Sequence, residues 1–264
     1  MSYVLITGAT DGIGLKTAEE LVKRGEALII HGRNPLKLDR AKERLKELNP
    51  AARIKTVISD FSDLEKTKEA FSKIKGEDIK VLINNAGCFD AKGIITKDGF
   101  GLTYQVNHLA HFLITHILLD TIIKNAPSKI IIVASMAHAS YVDFEALRDR
   151  RFSYGYEAYA CSKLCNILFT FKLARMLEGK NISVNCLHPG VINTKLLVDN
   201  WGACGIDVSR AHEMVIYAYN LSSEISGCYL KDFKISKAAD FAYSLENQDK
   251  CYEISFEQVK RYLT

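Results

Sequence analysis

The sequence contains no C-x-x-C pair. Its seven cysteines (Cys88, Cys161, Cys165, Cys186, Cys204, Cys228 and Cys251) are odd in number and scattered through apolar contexts. That pattern argues against a disulfide framework and for reduced thiols used as small core residues, so a reducing, cytoplasmic location is expected. Cys161 and Cys165 share a helix face, but the sequence sets no histidine or carboxylate ligand beside them, so no metal is expected there. No segment reads as the roughly 18 apolar residues of a membrane span. The first apolar strand starts at Tyr3, which leaves no room for a signal peptide. No basic run is interleaved with aromatics, and the formal charge is only +4, so nucleic acid is not an expected partner. No linker and no internal repeat is found. A chain of 264 residues, 48% hydrophobic and 25% charged, is therefore expected to form one domain over residues 1–264.

Against these absences stands Tyr159-Ala-Cys-Ser-Lys163. The tyrosine and lysine are four residues apart in a segment that reads as helix, so both leave the same face. A phenol has a pKa of about 10, and a neighbouring ammonium favours the phenolate, lowering that value toward the working range. The pair is then a proton-transfer device. Tyr-x-x-x-Lys also arises by chance on ordinary amphipathic helices, so its meaning depends on the rest of the chain.

Residues Tyr3–Thr7 form a short apolar run, followed by Gly8-Ala-Thr10-Asp11-Gly12-Ile13-Gly14 and a helical pattern over Leu15–Arg24. Strand, glycine turn and helix together suit a dinucleotide: glycine lets the backbone approach a pyrophosphate, and the helix N-terminus offers free N–H groups. A glycine-rich turn without a ligand is the plainer alternative. The second strand, Ala27–His31, ends without an acidic residue. In the dinucleotide fold an acidic group about 20 positions beyond the glycines usually holds the adenosine ribose. Arg33 and Asn34 stand here instead, and a guanidinium suits a 2′-phosphate, so NADP(H) is favoured and NAD(H) remains an alternative. Lys37 is placed to assist; Asp11 argues the other way, as a carboxylate that repels that phosphate. Asp60, before Phe61, suits either the adenine amino group or the cap of a helix starting near Ser62.

The fourth strand, Ile79–Asn84, runs into Asn85-Ala86-Gly87, at the end that faces the ligand crevice in an open parallel sheet. A long helix over Gly101–Asp120 carries Asn107. Its His108, His111 and His116 lack a carboxylate partner at ligand spacing and read as solvent-facing or hydrogen-bonded histidines. Ser135 follows the strand Lys129–Val133. The helix from about Tyr156 to Glu178 is apolar on more than one side, so two of its faces need cover. The expected second cover is another subunit, giving a homodimer or homotetramer; the alternative is the chain's own C-terminal helices. After strand Asn181–Leu187, Pro189 and Gly190 fix a turn that leads to Val191 and Thr194. Residues 195–223 are irregular and read as a mobile lid or substrate loop. Gly227–Leu230 reads as the last strand, and Ser236 as the cap of a helix over Lys237–Glu246.

Taken in order, Thr7-Gly8-Ala-Thr-Asp-Gly12-Ile-Gly14, Asn84-Asn85-Ala86-Gly87, Asn107, Ser135, Tyr159-x-x-x-Lys163 and Pro189-Gly190 resemble the short-chain dehydrogenases/reductases over roughly residues 3–194. His31-Gly-Arg-Asn-Pro35, Val106-Asn-His-Leu-Ala-His-Phe112 and Leu187-His-Pro-Gly190 resemble the retinol-dehydrogenase-like branch; from Lys195 onward the match is looser. The resemblance implies an α/β Rossmann fold, a doubly wound parallel sheet of about seven strands with helices on both faces. It implies hydride transfer between NADP(H) and a fairly apolar carbonyl or alcohol, without a metal. Tyr159 would be the acid–base group and Lys163 would lower its pKa and hold the nicotinamide ribose. Ser135 would bind the substrate oxygen, and Asn107, through its backbone, a water in a proton relay reaching Lys163. Val191 and Thr194 would contact the carboxamide. Two other readings remain: a silent NADP(H) sensor on the same fold, and a sugar-nucleotide epimerase, whose usual G-x-x-G-x-x-G turn this chain lacks.

Overall fold

Short aliphatic runs become strands here because both of their faces are covered. In the computed structural model, which describes residues 2–151 and 153–263, β1 (Tyr3–Ile6), α1 (Gly12–Lys23), β2 (Ala27–Gly32), α2 (Pro35–Leu48), β3 (Ile54–Ile58), α3 (Leu64–Ser72) and β4 (Ile79–Asn84) alternate. Then come α4 (Leu102–Tyr104), a π-turn over Gln105–Leu109, α5 (Ala110–Lys124), β5 (Ser128–Val133), α6 (Phe144–Arg148), α7 (Gly155–Met176) and β6 (Ile182–Leu187). The chain closes with α8 (Lys195–Trp201), α9 (Glu213–Asn220), β7 (Cys228–Lys231), β8 (Lys234–Ser236) and α10 (Leu245–Val259). Every residue of β2 and of β6 is buried, as a parallel sheet covered on both sides requires.

The strand order is β3-β2-β1-β4-β5-β6-β7-β8, parallel from β3 through β7. Successive residues of β1 go to opposite cores. Leu5 joins Leu82 and Ile130 beneath α3, α5, α7 and α10, whereas Val4 and Ile6 join Ile30 and Ile83 beneath α1, α2 and α9. This is the doubly wound fold expected, with one strand more. The last strand is β8, antiparallel to β7, not Gly227–Leu230. Its hairpin turns on Asp232 and Phe233, both at positive φ (53° and 56°). Such turns usually carry glycine or asparagine, so the sequence hides this one. Ser236 therefore sits in β8 and caps no helix. The cap belongs to Ser244, whose Oγ accepts from the Asn247 N–H at the start of α10.

Three further expectations meet the structure as follows. First, α7 is apolar nearly all round, and its outer side is covered by α10 of the same chain: Phe169 lies against Tyr252 at a ring separation of 6.5 Å, and Lys172 and Arg175 pair with Asp249 at 2.8 and 2.5 Å. The face that argued for a second subunit is thus filled from within. Second, the helix Leu102–Lys124 is long and apolar enough to cross a membrane, with a mean hydropathy of 1.3, although the sequence suggested no such segment. It lies under the sheet with Phe112, Leu113, Ile114 and Leu118 fully buried, as a core helix does. Third, residues 195–223 are largely helical. Met214, Val215, Ile216 and Ala218 of α9 are buried in the core that backs β5 and β6, so this half is scaffold and only the first half borders the crevice.

Candidate active site

The strand order reverses between β1 and β4, and their carboxyl ends open the crevice expected at such a point. The cavity there has a volume of about 750 Å³. Its wall at the β1 end is built around Thr7. The Thr7 hydroxyl accepts from the N–H groups of Asn85 and Ala86 at 2.8 and 3.0 Å, and lies 3.0 Å from His111 Nε2. Asn85 Nδ2 donates to the carbonyls of Thr7 and Gly8 at 2.8 and 3.2 Å. The glycines are needed sterically: a Cβ on Gly14 would lie 2.2 Å from the Gly8 carbonyl oxygen, and one on Gly8, at φ +66°, would lie 2.9 Å from Ala86 Cα. Gly14→Ala is therefore expected to cost about 1–3 kcal/mol or more, read as a lower denaturant midpoint at unchanged slope. The first turn of α1 contains Gly12 and Gly14 and reaches the crevice through Gly12 and Ile13. Asp11 turns back and accepts from the Gly12 N–H at 2.7 Å.

Two buried histidines brace this wall. His111 Nδ1 faces the Asn107 carbonyl at 3.0 Å, which only accepts, so Nδ1 carries the proton and Nε2 accepts from Thr7. His31 Nε2 must donate to the Ser59 carbonyl at 3.0 Å while Nδ1 accepts from the Gly8 N–H at 3.2 Å. Both are neutral: burial pushes His111 down to about 3 and His31 to about 4. The helix histidines are thus hydrogen-bonded, His108 and His111 buried and His116 half-buried; His116 donates to the Phe112 carbonyl and pairs with Tyr252. The ring of Phe61 stacks on His31 at 4.3 Å and is itself almost wholly buried. Asp60 caps no helix. Its carboxylate accepts from the Ser62 N–H at 2.9 Å, and α3 is capped by Asp63.

At the opposite wall, Ser135 lies just past β5. Its Oγ accepts from the Ala137 N–H at 3.0 Å and hydrogen-bonds the Tyr159 side chain. His138 Nδ1 donates to the Ser135 carbonyl at 2.7 Å and its Nε2 accepts from the Ala239 N–H at 3.0 Å, which ties the serine loop to the C-terminal segment. Lys163 Nζ donates to the Val133 carbonyl at 3.0 Å and lies 5.5 Å from the centre of the Tyr159 ring. The expected lowering of the tyrosine's pKa is not found. Burial pushes the Tyr159 phenol up, with the Ser135 hydrogen bond opposing, and burial brings the Lys163 ammonium down to about 8. Below that value Lys163 is charged and Tyr159 is a neutral proton donor.

Asn107 lies in the π-turn, fully buried and outside the lining of the crevice. Its Oδ1 accepts from the Cys88 N–H at 2.8 Å, and its Nδ2 donates to the Cys88 carbonyl and the Ser162 hydroxyl at 3.0 and 3.1 Å. Its carbonyl accepts from Asn166 Nδ2 at 2.9 Å as well as from His111. Asn107 holds the segment after β4 in register. A Cβ on Gly87 would lie 3.4 Å from Asn107 Oδ1 and 3.8 Å from Lys163 Nζ, so glycine there keeps the lysine's surroundings open.

Gly8, Thr10, Asp11, Gly12, Ile13, Arg33, Asn34, Asp60, Phe61, Asn85, Ala86, Gly87, Ser135, Tyr159, Lys163, Pro189, Gly190, Val191 and Thr194 all line the one crevice; Gly14 and Asn107 support it from behind. Asn34 also caps α2 through the Lys37 N–H, and Thr194 caps α8 through the Leu197 N–H. Sequence reasoning missed His31, Ser59, Cys88, Met136, Tyr156, His188 and Leu196, which line it too. Their one sequence signal is position: most follow a strand end or flank a named motif residue.

The geometry agrees with what comparison finds. A sequence profile described as short chain dehydrogenase matches residues 2–203. Retinol dehydrogenase 13 of Homo sapiens is 40% identical over 197 residues, covering 73% of this chain and 60% of that protein. The chain thus spans about three fifths of the length of the first curated relatives it matches. Among solved structures, an uncharacterised protein of Mycobacterium paratuberculosis superposes with a TM-score of 0.82 at 27% identity, over 98% of this chain and 94% of that one. An NADPH-bound carbonyl reductase from chicken fatty liver superposes with a TM-score of 0.68 at 26% identity, over 90% and 98%. With a profile match over most of its length and this crevice at its switch point, the chain belongs to the short-chain dehydrogenase family, in its retinol-dehydrogenase-like branch.

Proposed function

We propose that the protein is an NADP(H)-dependent oxidoreductase that interconverts a fairly apolar carbonyl compound and its alcohol. The observation that carries this reading is the joining of Ser135, Tyr159 and Lys163 to the glycine turn in one crevice. The glycine turn and the start of α1 would hold the pyrophosphate of a nicotinamide dinucleotide, and Lys163 its ribose. When bound, the cofactor supplies or accepts the hydride. Ser135 holds the substrate oxygen as charge develops on it. Tyr159, kept neutral by burial, delivers the proton to that oxygen in reduction. Met136, Tyr156, Val191, Leu196 and Leu197 line the crevice and favour an apolar body on the substrate. The free cysteines fit a cytoplasmic setting.

Arg33 is exposed at the mouth of the crevice, beside Asn34 and Lys37. The Asp11 carboxylate, which argued against a 2′-phosphate, is turned onto its own Gly12 amide. Arg33 favours NADP(H), whereas Asp11 still lines the crevice. Charge-assisted hydrogen bonds are worth about 1.5–3 kcal/mol, so Arg33→Ala is expected to raise KM for NADPH by roughly 10–100-fold and leave KM for NADH nearly unchanged. Steady-state kinetics with both cofactors measures it. Equal effects on both would remove the case for NADP(H). The reaction itself is tested by NADPH and NADH oxidation against aliphatic, aromatic, steroid, quinone and retinoid carbonyls. Tight, reduction-state-selective cofactor binding without turnover on any of them would favour the sensor reading.

A further inference from the structure

Behind the crevice, α7 and α10 bring thiols and a buried imidazole together. The Sγ atoms of Cys165 and Cys251 and a ring nitrogen of His108 lie within 4.8 Å of one another, and all three residues are fully buried. The Cys165 thiol hydrogen-bonds both Cys251 and Cys161, one turn earlier on α7. Cys161 is only partly buried and connects the cluster to the surface. The sequence set no histidine near Cys161 and Cys165; the fold does.

The orientation of His108 is fixed from the far side. Asn166 Nδ2 donates to the Asn107 carbonyl, so Asn166 Oδ1 is the acceptor that faces His108 Nδ1 at 3.0 Å, and Nδ1 carries the proton. That leaves a lone pair on Nε2, 2.8 Å from Ser255 Oγ. The Ser255 hydroxyl has a single proton, and the Cys251 carbonyl lies 2.7 Å from the same oxygen. One proton thus serves two acceptors, His108 Nε2 and the Cys251 carbonyl. A neutral imidazole whose other N–H is held by an amide oxygen is oriented as metal-ligating histidines are. Tetrahedral zinc, with Zn–S near 2.3 Å and Zn–N about 2.0–2.1 Å, sets its ligand atoms about 3.5–4 Å apart. These three atoms need a contraction of at most about 1.3 Å to meet that, and the Cys161 thiol, which reaches the group through Cys165, must turn in to become the fourth ligand.

We propose that Cys161, Cys165, Cys251 and His108 form a binding site for a thiophilic divalent cation of the zinc and cadmium type, separate from the reacting atoms. Each coordinating thiol loses its proton to solvent, three in all, and His108 gives its Nε2 lone pair. The Ser255 proton then serves the Cys251 carbonyl alone. Cys161, the one thiol of the four residues that is only partly buried, is the point of entry. A bound ion would pin α10 to α7 and to the π-turn that carries Asn107.

The test uses the full chain, reduced with a phosphine and stripped of metal, titrated with Cd²⁺. The expected result is a sulfur-to-cadmium charge-transfer absorption that saturates at one equivalent, release of three protons into weak buffer, and a higher melting temperature. Cys161→Ser is expected to weaken binding at least tenfold, whereas Cys204→Ser, which removes an exposed thiol, should titrate as the parent does. Absence of the absorption in the parent, or its loss in Cys204→Ser alone, overturns the proposal. So does unchanged affinity in Cys161→Ser. The parent titration decides the matter even where a cysteine variant fails to fold.

Discussion

Tyr159→Phe is expected to lower kcat/KM for the carbonyl substrate by roughly 10²–10⁴-fold, the range in which a positioned proton donor contributes. The substitution removes one oxygen and keeps the ring, its approach to Phe89 at 6.1 Å, and the contact with the Lys163 ammonium. Cofactor affinity should therefore change little, and the loss should fall on kcat and kcat/KM together, as for an interaction made in the transition state. The Ser135 hydroxyl loses the Tyr159 hydroxyl as a partner but keeps the Ala137 N–H. Stopped-flow or steady-state NADPH oxidation on the best substrate reads the effect. Full turnover in the variant would take the acid–base role from Tyr159 and leave the proton to another crevice group.

The part of this site that the sequence discloses is the part built from local spacing. A helix repeat places Lys163 above Tyr159, and a glycine turn after the first strand needs no partner to be seen. What it conceals depends on residues far apart in the chain. Thr7 meets His111 across 104 positions, and His108 meets Ser255 across 147, so neither link leaves a periodic signal. The same holds for the outer face of α7. Its apolar residues declared that a cover was needed, but not that α10, near the other end of the chain, supplies it. The sign of the tyrosine's pKa shift was misjudged for a related reason. Spacing shows the charge nearby, whereas desolvation depends on everything packed around the pair. The hairpin before β8 escaped notice because Asp232 and Phe233 take backbone angles that their side chains disfavour.

The Lys163 ammonium is the other costly element, and its removal should separate stability from function. Burial brings its pKa from an ordinary 10.5 to about 8, a penalty of about 3 kcal/mol on the charged form. The hydrogen bond to the Val133 carbonyl returns about 1 kcal/mol. Lys163→Met, of similar reach and apolar, is expected to stabilise the fold by about 2 kcal/mol at pH 7. For a chain of this size that is a rise of roughly 4–8 °C in Tm. Activity should fall steeply in the same variant, since the ribose and Tyr159 lose their cation. The pH dependence identifies the cause. The folded-state pKa lies below the unfolded one, so between about 8 and 10.5 the unfolded chain binds the extra proton and parent stability rises with pH. The gap between variant and parent is therefore full below about 8 and closes as pH approaches 10.5. Over the same limb, parent kcat/KM should decline as pH rises through about 8 and Lys163 loses its charge. Melting curves of both proteins from pH 7 to 10 check the first statement, and a pH–rate profile the second. A stability gap that ignores pH, or a destabilised methionine variant, would mean that packing around Lys163, not its buried charge, sets the balance.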